Sequence, residues 1–194
     1  MSDVLTDEGV TITVCHDQER SSSLWSQHMI FDEIAAKDTG NNRPSFDEEY
    51  FDFDVDHYYK MATQAETIQD LTGTDKYIGD QSSQLFLSRG HLSPNADFMF
   101  YSWQDSTFFF INVAPQWQSF NGRHWNQFEE ASRNFAVSRQ LDLVTYTGTS
   151  GVLELEHVDG HMVPIYLYNG GQLPVPTFYW RILHDTVNQK GSFR

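Results

Sequence analysis

Residues 85–133 open with Leu85-Phe86-Leu87-Ser88-Arg89-Gly90-His91-Leu92-Ser93-Pro94. They continue through Thr107-Phe108-Phe109-Phe110-Ile111-Asn112-Val113-Ala114-Pro115-Gln116 and end in Asn121-x3-Trp125-x3-Glu129-x3-Arg133. Leu85-Phe86-Leu87 is a short apolar run that Ser88 to His91 interrupts as a turn. Residues 107–113 are rich in aromatic and β-branched side chains and form the most strand-like run in the chain, which Pro115 is expected to stop. From Asn121-Gly122 to Leu141 neither Gly nor Pro recurs after Gly122, and the stretch reads as a helix. The order is strand, His-bearing turn, strand, helix.

Outside this centre, Val10-Thr11-Ile12-Thr13-Val14 alternates β-branched residues and reads as a strand. Met61 to Leu71 reads as a helix, with Met61, Ala65, Ile68 and Leu71 at helical spacing and Gly73 just beyond. Residues 143–148, 162–167 and 178–183 are further strand candidates. The fold class expected is α+β with an antiparallel sheet. Residues 1–60 are expected to form an acidic N-terminal segment, partly loop, packed on or leading into a domain that spans 61–194. Within that segment, Thr39-Gly40-Asn41-Asn42-Arg43-Pro44 is a run of turn formers, and residues 46–56 alternate aromatics with acids as a partly anchored connector.

The 194 residues suffice for one domain with its own core. Aromatics make up 15% of them, which argues against disorder. Twelve Lys and Arg stand against 27 Asp and Glu, a net charge of −15, so a basic protein that coats nucleic acid is excluded while a local cleft is not. Residues 1–60 carry 14 acids and 4 bases, a net of −10. Cys15 is the lone cysteine, which rules out an intrachain disulfide and a Cys-rich zinc site. The first residues lack the basic start and apolar run of a signal peptide, and no stretch approaches ~18 consecutive apolar residues.

Asn121, Trp125, Glu129 and Arg133 are each four apart, so an amide, a carboxylate and a guanidinium rise along one helix face. Taken alone, Glu129 and Arg133 are an ordinary surface pair. His91 sits between Gly90 and Pro94, where the backbone can hold it at a fixed angle. A general base needs such placement, because proton transfer demands reach before a tuned pKa. Arg123 and Lys76 are further cations near this set, and Trp117 is a candidate for stacking on a base. His157 and His161 are four apart, but Gly160 separates them and no third ligand follows, which argues against zinc.

Together these motifs resemble the DNA/RNA non-specific endonuclease family, the ββα-metal group that includes endonuclease G. Residues 144–149 and 173–180 are also similar to that family. Ala114-Pro115-Gln116-Trp117-Gln118-Ser119-Phe120-Asn121 resembles its arthropod branch of gut and salivary nucleases. The resemblance runs from about Ile68 to about Leu183. It implies a metal-dependent, sugar-non-specific endonuclease that leaves 5′-phosphate ends on DNA and RNA. His91 then matches the general base, and Asn121 the direct protein ligand of Mg²⁺, with Mn²⁺ as the alternative metal. Glu129 matches the carboxylate that orients the metal's waters. Arg89 and Arg133 match guanidinium groups at the phosphate, and Asn112 a residue that orients the site. Arg123, Lys76 and Trp117 complete the expected substrate surface. Activity is expected to fall below about pH 6.5, where an unperturbed His charges.

The resemblance also implies secretion and a homodimer. Ser88 stands where the best-known form of the motif has Asp, and the chain stops soon after the strand that holds Trp180. Both departures keep a second reading open, a nuclease-derived binding protein with weak turnover.

Overall fold

A computed structural model describes residues 2–6, 9–40, 43–188 and 190–193. The expected loop over 39–44 therefore falls partly outside the described residues, at Asn41 and Asn42. The principal layer is a six-stranded antiparallel sheet in the order β1-β2-β3-β6-β11-β12. Its strands are β1 (Ser2–Thr6), β2 (Gly9–Asp17), β3 (Ser22–Ile30), β6 (Leu143–Ser150), β11 (Phe178–Asp185) and β12 (Lys190–Phe193). Residues from both sides of position 60 are thus paired in one sheet, β3 against β6 from Trp25↔Gly148 to Ile30↔Leu143.

A short hairpin carries the central motif. It is β4 (Leu87–His91) paired with β5 (Val113–Trp117), in register His91↔Val113 and Ser88↔Gln116. Two expectations are corrected here. His91 is the last residue of a strand and does not lie in a turn. Residues 107–113 are not one strand, because Phe110–Asn112 coil into a 3-10 turn and β5 begins at Val113. Pro115 lies inside β5 and does not end it; β5 has a partner on one side only, where a missing N–H is tolerated.

Among the described residues, five α-helical segments accompany the strands: α1 (Val55–Tyr58), α2 (Met61–Thr72), α3 (Tyr101–Asp105), α4 (Gln118–Phe120) and α5 (Asn126–Arg139). Gly73 caps α2 at φ 73°, as its position after the apolar spacing predicts. A π-helical turn over Asn121–Trp125 joins α4 to α5. Ala136 of α5 packs with Ile30, Ile34 and Leu143, which fixes the helix to the sheet. The hairpin β7 (Glu154–Glu156) with β8 (Met162–Pro164), and the pair β9 (Tyr166–Tyr168) with β10 (Gln172–Pro174), complete the chain. Residues 162–167, expected as one strand, divide between β8 and β9.

The acidic segment supplies core residues as well as strands. Phe46, Phe51 and Phe53 pack against a cluster that includes Val55, Tyr59, Leu87 and Phe110.

Candidate active site

β4, the loop after it and the start of the α4–α5 helical segment enclose a cleft of about 500 Å³. Ser88, Arg89, His91, Asn121 and Glu129 all line it. Residues widely spaced in sequence meet there because the β4–β5 hairpin turns the chain back before the helix begins.

His91 packs against the rings of Phe46 and Phe108, at centroid distances of 5.4 and 5.5 Å, and those two rings also touch each other at 5.2 Å. Its Nε2 is buried and has no hydrogen-bond partner among the described residues. Burial and the nearby positive charge of Arg43 push its pKa down to about 4, against an opposing hydrogen bond to the Arg89 backbone. The ring is therefore neutral at pH 7. Neutral imidazole with an unengaged nitrogen is the form that accepts a proton.

Gly90 matters for close approach rather than for unusual backbone angles. A Cβ there would stand 2.6 Å from Gln116 Oε1 and 2.7 Å from Gln116 Cβ. Only glycine lets β4 lie this tightly over β5.

Asn121 Nδ2 donates to Ser88 Oγ at 3.0 Å, and Ser88 Oγ donates to the Gln116 carbonyl at 3.0 Å. The amide nitrogen is thereby engaged, and the carbonyl oxygen is the atom Asn121 has left for a cation. Glu129 is 8% exposed. Burial and the negative Asp97 push its pKa up to about 7, while Arg181 and Arg133 pull it down. An amide oxygen and a carboxylate that lacks full charge compensation form an oxygen-only donor set, which fits a hard divalent cation. The π-helical turn displaces Asn121 from a strict four-residue column, and such turns recur at functional sites.

Arg89 also faces the cleft. Its guanidinium pairs with Asp56 and lies 5.2 Å from the Tyr59 ring centroid. Arg133 sits deeper. It donates to Asp97 Oδ1 at 2.8 Å and does not line the cleft. Asp97 is fully buried and also binds Arg181 and His28 Nε2, the latter at 2.8 Å. The positive charge of Arg181 and the bond from His28 hold its carboxyl well below the usual carboxylate range despite burial.

Asn112 is fully buried away from the cleft. It donates to the carbonyls of Ser93 and Thr107 and accepts from Ser93 N–H, so it pins the loop that follows His91. Arg123 and Lys76 are exposed and do not line the cleft. Trp117 packs against the core cluster.

Residues the sequence did not single out also line the cleft, among them Arg43, Asn95, Gln118 and Asn126. Asn126 lies three residues before Glu129, and that spacing is a helical signal that marks a shared face. Arg43 has no such signal, since it arrives from a distant loop.

Asp159 lies between His157 and His161, and one potential ligand atom from each of the three residues lies within 4.8 Å of the others.

With this geometry in hand, comparison with known proteins decides the family. The model of the DNA/RNA non-specific endonuclease family matches residues 6–193. The chain belongs to that family. It is 32% identical over 179 residues to a salivary endonuclease of Lutzomyia longipalpis, covering 91% of this chain and 42% of that protein. It is 26% identical over 174 residues to mitochondrial endonuclease G of Homo sapiens, covering 88% of this chain and 51% of that one. This family member thus spans about half or less of the length of those relatives. Its fold is similar to a chain in the crystal structure of the EndoG/EndoGI complex, with a TM-score of 0.57 at 19% identity, over 100% of this chain and 72% of that chain. That likeness, with the mixed helices and antiparallel sheet of this chain, supports the α+β class. Among the described residues, no helix is long and apolar enough to cross a membrane.

Proposed function

We propose that the chain is a divalent-metal-dependent endonuclease that hydrolyses phosphodiester bonds in DNA and RNA without sequence preference and leaves 5′-phosphate ends. The observation that carries this reading is the neutral His91, with its unengaged Nε2, in one cleft with Asn121 and Glu129.

Each group has a task. His91 takes the proton of the attacking water at Nε2, and the Phe46 and Phe108 rings hold the imidazole in place. Asn121 would hold the metal and Glu129 would orient its waters, and Ser88 assists by fixing the Asn121 amide. When bound, Mg²⁺ offsets the charge that builds on the phosphate and leaving oxygens. Arg89 exchanges Asp56 for a phosphate oxygen, a planar charge-assisted contact. Arg43 adds a second positive charge at the mouth. Arg133 acts indirectly by anchoring Asp97 beneath the site.

The contacts fall on backbone phosphate, which accounts for weak sequence preference. At a net charge of −15, long-range steering opposes a polyanion, so binding rests on this local patch and is salt-sensitive. Secretion is the compartment the salivary relative favours. The weak-binder reading rests on Ser88 in place of Asp and on the stop soon after the Trp180 strand; the Ser88–Asn121 hydrogen bond supports the view that Ser88 can still position Asn121.

Digestion of supercoiled plasmid and of single-stranded RNA, with Mg²⁺ and with EDTA, tests the reading. Cleavage of both only with metal supports it. A folded sample that binds both polymers and cuts neither overturns it.

A further inference from the structure

We propose that the tip of the β7–β8 hairpin, away from the nuclease cleft, is a second metal site. His157, Asp159 and His161 supply the ligands, and a borderline transition-metal ion such as Zn²⁺ is the occupant.

The backbone makes the site compact. β7 and β8 pair from Glu154↔Pro164 to Glu156↔Met162. The turn between them is closed by His157 N–H to the His161 carbonyl at 2.8 Å and by Gly160 N–H to the His157 carbonyl at 2.9 Å. Gly160 takes φ 93°, a conformation few other residues adopt, and the reversal places residues 157 and 161 face to face. Their rings stack with centroids 4.6 Å apart and planes 26° apart. Both Nδ1 atoms converge on Asp159 Oδ1, at 2.7 Å from His157 and 2.5 Å from His161.

The hairpin is also tethered. Val158 N–H bonds to the Thr72 carbonyl at the end of α2 at 2.9 Å, and Leu155 packs on the main core cluster. A fixed base lowers the ordering cost of binding an ion. On the open side, Asp159 and His161 are 63% and 60% exposed as side chains, so water can complete the coordination shell.

The donor set selects the ion. Two imidazoles and one carboxylate plus water is a common zinc arrangement. Mg²⁺ prefers oxygen donors in near-octahedral order and dehydrates reluctantly, so it competes poorly here. The two sites therefore divide by chemistry, with oxygen donors in the cleft and imidazoles at the hairpin. None of the three hairpin ligands lines the cleft. A bound ion would lock the hairpin tip on itself, which makes its role structural, and cleavage does not require it.

The test uses the full chain after dialysis against EDTA. Zn²⁺ is titrated by calorimetry at neutral pH in saturating Mg²⁺, and the absorption spectrum of Co²⁺ is recorded in parallel. The expected result is one equivalent of Zn²⁺ bound, a rise in melting temperature, and a Co²⁺ visible band of low-coordinate type. His161→Ala and Asp159→Asn, at exposed positions, should each weaken Zn²⁺ binding about tenfold or more with the circular dichroism spectrum unchanged. Asn121→Ala should leave Zn²⁺ binding as it is. Absence of Zn²⁺ uptake, uptake unaffected by His161→Ala, or uptake lost in Asn121→Ala would each overturn the site. Because none of these readouts is cleavage, they stand or fall apart from the nuclease reading.

Discussion

The Asn121 side-chain amide donates to Ser88 Oγ at 3.0 Å, on the same strand that carries His91. This bond fixes which end of the Asn121 amide is left for a cation. Ser88→Ala should therefore raise the Mg²⁺ concentration for half-maximal cleavage severalfold, since a hydrogen bond of this kind is worth about 0.5–1.5 kcal/mol net. Metal titrations of plasmid cleavage measure this. An unchanged midpoint in a folded Ser88→Ala variant removes Ser88 from the positioning of Asn121.

Asp97 is expected to be the most stability-sensitive residue near the site. It is fully buried, pairs with Arg181 and Arg133, and hydrogen-bonds His28. Asp97→Asn leaves buried cations uncompensated and should cost about 3–5 kcal/mol. For a chain of this size that corresponds to roughly 10 °C in melting temperature. Thermal unfolding followed by circular dichroism decides it, and a loss under about 1 kcal/mol contradicts the assignment.

Acid sensitivity follows from the histidines. The His91 pKa is lowered to about 4 from 6.5, and burial lowers that of His28 as well, against the pull of Asp97. Folded values below unfolded ones mean that the unfolded chain binds more protons in this window. The histidines' contribution to stability is thus fully present above about pH 6.5 and declines as pH falls toward 4, while Glu129, whose carboxyl is raised to about 7, contributes in the opposite sense over the same window. His91→Phe isolates the first contribution: between pH 7.5 and 4.5 its urea midpoint should fall less, or rise more, than that of the wild type. At saturating Mg²⁺, which favours the ionised Glu129, the cleavage rate should hold below pH 6.5, and a sharp loss at 6.5 under that condition would contradict a depressed His91.

Gly90→Ala should destabilise the β4–β5 hairpin by about 1–3 kcal/mol, because its Cβ would overlap Gln116. Cleavage should fall with it, as Arg89 and His91 flank the displaced residue. A variant with wild-type melting and rate would show that Gln116 yields without cost.

Much of the site was legible because its chemistry is concentrated in short spacings around His91, Asn121 and Glu129. What was hidden depends on tertiary packing. Residues 107–113 look like a strand, yet Phe110 joins one core cluster and Ile111 another, and the 3-10 turn sends the two side chains apart. β3 carried no apolar alternation because its inward residues include Ser23, Ser26 and His28. These bond to the Ile111 carbonyl, Ser93 and Asp97, so the strand buries a satisfied polar face. Arg43 reaches the cleft from the loop before Phe46, a placement that only the closed fold reveals.

The most direct test of the central claim compares wild type with His91→Ala on supercoiled plasmid in Mg²⁺, alongside a mobility shift on the same DNA in EDTA. The account predicts that His91→Ala abolishes cleavage while DNA binding and the folded circular dichroism spectrum persist. Retained cleavage in the variant, or loss of cleavage together with loss of the fold, would contradict the assignment of His91 as the base.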